Sequence, residues 1–229
     1  HPILILEARL EDPPPPRAGV AWAPIEVPAD GELALWRLPA RRVVVQVFGE
    51  EPRVLAVGWT GSDERTRADV RAGVFPARGD SREGLSLHPP WHGGRAGTVI
   101  VELPLKLPGA KPIRLRFATA IREHRAENGE PPSDGVAFRG RALPFDAPAG
   151  AMGEALFDRF SGAKSWEDGE ADLSAFAGKT IRLQLESHPG PKKDTTCDQS
   201  HWAEPVLVSG NPVAPPAFPP PVGAPSRLL

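Results

Sequence analysis

The sequence of 229 residues has very little sulfur chemistry and no strong charge of either sign. It contains one cysteine, Cys197, one methionine and no tyrosine. A single cysteine excludes an internal disulfide and a cysteine-based zinc cluster. Basic and acidic residues nearly balance, at 27 and 29, so the concentrated basic charge that nucleic-acid binding requires is lacking. No apolar run approaches the ~20 residues of a transmembrane helix.

Motifs of common enzyme classes are absent as well. The sequence has no phosphate-binding loop, no nucleophile elbow and no dinucleotide-binding fingerprint. His88 and His92 have the spacing of a helical metal-binding pair, but Pro89 and Pro90 between them exclude the helix. The sequence therefore assigns no catalytic residue.

Proline and glycine, in contrast, are abundant. They make up 52 of the 229 residues, which disfavours long helices, while 40% of the residues are apolar and can fill a core. Residues Ile113–Phe117 and Ile181–Glu186 alternate between apolar and polar, which predicts strands with one face in a core and the other in water. Weaker strand candidates are Leu33–Leu38, Arg42–Phe48, Arg53–Trp59, Thr98–Leu103, Val136–Ala142 and Pro205–Val208. Many short strands separated by turn residues predict an all-β sandwich, with a short helical stretch in Asp63–Val74.

The two ends of the sequence differ from its middle. Residues Ile3–Leu10 form a strand candidate that four prolines separate from the rest, and seven of the fifteen residues 211–225 are proline. We therefore divide the sequence into an N-terminal β extension (1–83), a β-sandwich (84–210) and a proline-rich tail (211–229). The tail is either a linker or a polyproline strap that docks on a neighbouring copy, and the segment 3–10 can add as a strand to a neighbour.

Short motifs follow one another in a fixed order between residues 84 and 209. They are His88–Trp91, Leu103–Leu105, Ile113–Phe117, Ser133–Phe138, Leu156–Phe157, Trp166, Asp172–Lys179 and Asp198–Pro205. In this order they resemble the carbohydrate-binding jelly rolls attached to glycoside hydrolases, of the galactose-binding-like and NPCBM types. The resemblance implies an extracellular, antiparallel jelly-roll β-sandwich with a sugar or calcium site in its loops.

Candidate sugar-binding residues lie in two loops. Trp91 follows two prolines and precedes His92 and two glycines, so a rigid approach presents its ring beside a flexible turn. Arg122, His124 and Glu127 lie in a long polar connection and can bind sugar hydroxyls. The alternatives are that Trp91 closes one end of the sandwich and that the loop residues are only solvated.

Two metal sites are also possible from the residue types. Asp194, Asp198 and Glu204 cluster near the last strand, and their oxygen ligands suit calcium, although they can equally cap loop amides. His1, as a true N-terminus, offers its amine and imidazole to copper. The second copper ligand would then come from one of the other histidines, namely His88, His92, His124, His188 or His201.

Three functions are compatible with these motifs and candidate residues. The first is a secreted, non-catalytic carbohydrate-binding β-sandwich whose partner is a glycan. The second is a structural subunit of an extracellular assembly, such as a filament, a sheath or the outer part of a membrane complex, held through residues 3–10 or 211–225. The third is a copper-dependent polysaccharide oxidase that uses His1. An N-terminal histidine in place of methionine has two explanations, a processed mature end or a trimmed sequence. We favour processing, which implies an extracellular or periplasmic protein.

Overall fold

A computed structural model describes residues 23–38, 43–48, 51–57, 61–148 and 151–210. His1, the candidate strand Ile3–Leu10 and the tail 211–229, with the subunit contacts predicted for them, lie outside these residues. The described part contains two seven-stranded sheets, a small hairpin and three single-turn 3-10 helices. None of its helices is long and apolar enough to cross a membrane.

Sheet A and sheet B face each other. In spatial order, sheet A contains β13 (Glu154–Ser161), β12 (Val136–Pro144), β15 (Thr180–His188), β10 (Thr98–Lys106), β3 (Val43–Phe48) and β4 (Glu51–Val57), with β1 (Ile25–Glu26) beside β10. Sheet B contains β14 (Glu167–Asp172), β11 (Ile113–Ile121), β16 (Ser200–Ser209), β7 (Asp80–His88), β6 (Asp69–Ala77) and β5 (Gly61–Ser62), with β2 (Gly31–Ala34) beside β16. The hairpin pairs β8 (Trp91–His92) with β9 (Arg95–Ala96).

Because the chain crosses repeatedly between the sheets from β10 to β16, the fold is a jelly-roll β-sandwich, and the predicted fold class is confirmed. One pair departs from the antiparallel prediction: β1 runs parallel to β10. Strands that precede residue 84 pair in both sheets with strands that follow it, as β3 does with β10 and β2 with β16.

The core lies between the sheets and is centred on an aromatic cluster. Trp202, on β16, is completely buried. Its ring centroid lies 4.8 Å from that of Phe117, 5.7 Å from that of Phe138 and 6.3 Å from that of Phe157. Phe117 belongs to sheet B and the other two rings belong to sheet A, so the cluster joins the two sheets.

Several strand predictions are confirmed and others are wrong. Strands β10, β11, β12 and β15 occupy the predicted segments. The helical prediction for Asp63–Val74 is wrong, because a turn at 64–66 leads directly into β6, which pairs along its length with β7. The predicted strand Leu33–Leu38 ends at Ala34, where a 3-10 turn begins and buries Leu35.

The outward face of β15 is not in water, contrary to the prediction. Arg182, Gln184 and Glu186 are at most 2% exposed. Part of their cover comes from residues 145–148 and 151–153 of the connection between β12 and β13, which side chains of the sheet hold over this face. Arg182 donates hydrogen bonds to the carbonyls of Ala147 and Pro148, at 2.6 and 2.9 Å.

Gln184 holds the same connection further along. Its amide donates to the Ala151 carbonyl at 2.9 Å, and its oxygen accepts from the Gly153 N–H at 3.0 Å. The amide also donates to buried Glu102 at 2.7 Å. Burial raises the pKa of Glu102, against the opposing effect of the Arg182 charge and the Gln184 hydrogen bond. A buried polar network on sheet A therefore holds this connection at Ala147, Pro148, Ala151 and Gly153.

Glu186 neutralises the other half of this face. It accepts hydrogen bonds from Arg139 at 2.7 Å and from Arg141 at 2.6 Å, and only 1% of its side chain is exposed. Within the described residues, removing its charge would leave Arg141 without a carboxylate partner and Arg139 with only the more exposed Asp158.

We expect Glu186→Gln to lower the free energy of unfolding by about 2–4 kcal/mol, because the amide cannot neutralise two arginines. The matched control is Glu170→Gln, whose exposed partner Arg114 lies 3.5 Å away. It should cost less than about 1 kcal/mol. Urea unfolding measures both, and equal losses would contradict a stabilising role for the buried pair.

Candidate functional site

Trp91 and His92 lie together on the β8–β9 hairpin. The Trp91 side chain is 41% exposed, and its backbone N–H donates to the Thr66 carbonyl at 2.7 Å. The Arg67 guanidinium lies 5.8 Å from the centre of the Trp91 ring. His92 Nδ1 is 3.2 Å from the Arg65 carbonyl oxygen. The indole is thus partly exposed to solvent, as the sequence predicts, and the positively charged Arg67 lies over its ring.

The other three sugar-binding candidates lie in the connection after β11. Arg122 donates to Glu130 at 2.9 Å, and its backbone N–H donates to the Gln199 carbonyl. His124 is half-buried, and Glu127 is exposed on a 3-10 turn. Among the described residues, no hydrogen bond, ion pair or ring contact joins these three side chains to Trp91 or His92. Their combined role in sugar binding stays a prediction.

The three calcium candidates have separate surroundings. Asp194 accepts the Thr196 N–H at 2.9 Å, as a loop cap does, and Asp198 accepts the Ser133 hydroxyl at 2.6 Å. Glu204 is exposed on the outward face of sheet B. In the part of the chain that the structure describes, no three His, Cys, Asp or Glu side chains are grouped to hold a metal. Calcium stays a prediction, and so does copper at His1, which lies outside the described residues.

Asp198 is the carboxyl with the most unusual environment. It is completely buried, and its second oxygen has no hydrogen-bond partner. Burial raises its pKa to about 7, helped by the charges of Asp134 and Asp194 and opposed by the Ser133 hydrogen bond and the Lys164 charge. Asp198 therefore titrates near neutral pH, far above the ordinary range of an aspartate.

The outward face of sheet B contains a cleft that the sequence motifs do not reveal. Two strands share one edge of β16: β7 pairs with residues 200–203 and β2 pairs with residues 206–209. Between them Glu204 has a φ of +46° and precedes Pro205. Opposite this bend, the register of β11 shifts between Arg116 and Ala118. The cleft thus opens where β16 changes partners.

The cleft has a volume of about 590 Å³. Its charged lining consists of Glu32, Arg82, Arg116, Asp168, Glu170 and Glu204, and its other lining residues are Phe117, Ala118, Gly169 and Val206. Gly169 has to be glycine here, because a Cβ would collide with the Phe117 ring that fills the core below. The lining residues lie on strands β2, β7, β11, β14 and β16, so the cleft is a rigid site.

Two half-exposed aromatic rings lie beside the cleft. These rings belong to Phe75 and Trp166, and Arg82, which lines the cleft, lies next to both. Its guanidinium group is 5.5 Å from the centre of the Trp166 ring, and Arg82 is the cross-strand neighbour of Phe75. The Trp166 indole N–H donates to the Asp80 carbonyl at 3.1 Å, which orients that ring. Arg82 also reaches Asp168 on β14, at 3.4 Å.

His201 lies between the two rings. The Phe75 ring stacks on it at 4.7 Å with an interplanar angle of 13°, and the Trp166 ring centroid is 6.3 Å away. The imidazole is 3% exposed. Burial lowers its pKa to about 4, helped by the Arg122 charge, so His201 is neutral at physiological pH. It supports the rings as a flat, uncharged group.

The sequence contains only part of the signal for this site. Alternation of Arg114 and Arg116 in β11 correctly predicts a polar outward face. Which rings share that face depends on pairs that are far apart in the chain, such as Arg82 and Asp168, 86 residues apart. Alternation within one segment does not report such pairs.

Comparisons with known proteins give fold-level likeness. No family model matches the sequence. An uncharacterized protein of Archaeoglobus fulgidus is 36% identical over 44 residues, which is 19% of this chain and 11% of that protein. The chain therefore spans only about a ninth of the length of that relative.

Similar solved structures are β-sandwich modules of low sequence identity. A CBM51 of Clostridium perfringens GH95, in complex with methyl-galactose, is 9% identical with a TM-score of 0.42, over 78% of this chain and 100% of the module. The C-terminal family 22 carbohydrate-binding module of Clostridium thermocellum Xyn10B is 13% identical with a TM-score of 0.41, over 68% and 88%. The K1 adhesin domain of Porphyromonas gingivalis Lys-gingipain is 14% identical with a TM-score of 0.42, over 73% and 98%. Carbohydrate-binding modules are among the structures to which this chain is similar.

The raised pKa of Asp198 predicts how stability depends on pH. The folded state keeps a proton on Asp198 up to about pH 7, whereas the unfolded chain loses it near the ordinary value of 3.8. This group therefore contributes stability that is fully present below about pH 4 and is lost as the pH rises to 7. We expect Asp198→Asn, which keeps the neutral form, to gain stability relative to the wild type between pH 4 and 7. Urea unfolding across this range measures the difference in free energy of unfolding between the variant and the wild type. A difference that does not change with pH would contradict the raised pKa of Asp198.

Proposed function

We propose that the chain is a carbohydrate-binding module that binds its glycan on the outward face of sheet B. The observation that supports this is the pair of rings, Phe75 and Trp166, beside a preformed cleft lined by carboxylates and guanidinium groups. Sugar rings have an apolar face that packs on aromatic rings, and their hydroxyls bind charged side chains at the same time. The cleft volume of about 590 Å³ falls within the usual range of small-molecule sites.

The proposed site binds without catalysis. Glu32, Asp168 and Glu170 are each in an ion pair with an arginine, an arrangement that suits hydrogen bonding to hydroxyls. A polysaccharide ligand is found outside cells, so an extracellular or periplasmic location belongs to the same proposal.

Trp166→Ala should weaken binding to the preferred polysaccharide by roughly tenfold or more, because it removes a ring that supports the sugar. Trp166→Phe keeps a ring and should retain most of the affinity. Affinity electrophoresis in gels with xylan, galactan, chitin or chitosan measures both variants.

Trp91→Ala tests the competing site on the β8–β9 hairpin. If this substitution abolishes binding and Trp166→Ala does not, the glycan binds at the hairpin that the sequence motifs favour. If the wild-type protein binds no polysaccharide, the proposed function is wrong.

A structural subunit is the second candidate function, and one observation favours it. In the described part of the chain, β5 pairs only with the first two residues of β6, so residues 71–77 have a free edge away from β7. Val74 on this stretch is 62% exposed. A free edge with an exposed apolar side chain is a site for strand addition, and the apolar segment 3–10 of a neighbour fits it.

This candidate predicts oligomers whose size rises with concentration. Val74→Lys should abolish them, because a charge on a free edge opposes strand addition, and deletion of residues 3–10 should do the same. Met152→Lys, at another exposed apolar side chain, is the matched control. Light scattering after size-exclusion chromatography measures the mass, and a wild-type monomer at every concentration would exclude the assembly.

A further inference from the structure

The charges that line the sheet B cleft are unequal in number and in availability. Four carboxylates face two guanidinium groups, which leaves a net charge of −2. Both guanidinium groups are already engaged: Arg82 binds Asp80 at 3.0 Å and Asp168 at 3.4 Å, and Arg116 binds Glu32 at 3.3 Å. A ligand carboxylate or sulfate would have to displace a protein carboxylate to reach either arginine.

Glu204 is the carboxylate that remains available. It is exposed in the cleft, and within the described residues its side chain has no hydrogen bond or ion pair. The paired strands on both sides of the β16 bend hold its backbone and aim it at the cleft. A cationic group on a ligand can therefore bind Glu204 without breaking any contact of the protein.

The rings beside the cleft indicate what carries that cation. Arg82 lies over Trp166 and lines the cleft, so a ligand that packs on the ring also passes the carboxylates. A flat aromatic surface beside a negative cleft is complementary to a sugar with a positively charged substituent.

We infer that the cleft selects glycans that carry protonated amino groups, with Glu204 accepting hydrogen bonds from the ammonium group. The inference rests on the proposed function and specifies its ligand. Cationic glycans are attracted by the net negative charge within a Debye length, neutral glycans bind through the rings and hydroxyl hydrogen bonds without an ion pair, and uronic or sulfated glycans are repelled.

The test compares a glucosamine hexamer with an N-acetylglucosamine hexamer of the same length, because acetylation removes the charge and keeps the sugar ring. Titration calorimetry on the full chain, at mildly acidic pH and low salt, measures both affinities. We expect the glucosamine hexamer to bind about fivefold or more tightly, which corresponds to one or more favourable surface ion pairs. The ratio should fall towards one at high salt, because salt screens exposed charges.

Glu204→Gln should lower this ratio to about twofold or less, since the remaining carboxylates are already paired with arginines. The matched control is Glu154→Gln, an exposed carboxylate on β13 of the other sheet, which should leave the ratio unchanged. Equal wild-type affinities for the two hexamers, or an unchanged ratio in Glu204→Gln, would overturn the inference.

Failure of the inference is distinguishable from failure of the proposed function. Binding of xylan, galactan or the acetylated hexamer, sensitive to Trp166→Ala but with no preference for the amino sugar, keeps the binding module and rejects its charge selectivity. Absence of binding to all of these glycans rejects both.

Discussion

The contact of the Trp202 indole with three phenylalanine rings is the interaction on which the sandwich depends. Phe117 comes from the same sheet, and Phe138 and Phe157 come from the facing sheet, so one cluster sets the separation of the two sheets. The burial of Trp202 also fixes the direction in which its neighbours on β16 point. Because successive side chains of a strand point to opposite faces, burying Trp202 turns His201 and Ala203 outward.

The candidate site is a consequence of this alternation and of one irregularity. His201 faces outward and is covered by Phe75, and the cleft lies further along β16. The alternation then breaks at Glu204, where the backbone is left-handed and the edge of β16 passes from β7 to β2. A regular strand would have given a flat sheet surface, and the bend gives a cleft with a carboxylate in it.

The sequence predicted the elements better than their surroundings. Alternation in Ile113–Phe117 and Ile181–Glu186 located β11 and β15, because each strand has one buried face. The alternation could not show that residues 145–148 and 151–153 cover the other face of β15, since these residues are distant from β15 in the sequence. It also could not locate β6, whose pattern of burial depends on β7. The same limit applies to the site: Phe75 and Arg82 are neighbours in the β6–β7 hairpin, but Trp166 meets Arg82 only through long-range pairing.

The connection between β12 and β13 covers the outward face of β15 in sheet A, whereas the outward face of sheet B contains an open cleft. The polar side chains of β15 and β12 already form hydrogen bonds with one another and with Ala147, Ala151 and Gly153. Few donors or acceptors on this face therefore remain for a ligand. Under the proposed function, the chain would approach an immobilised glycan with the outward face of sheet B, and the outward face of β15 would point away from the glycan. Each copy would contribute one footprint, and stronger attachment would have to come from several copies acting in tandem.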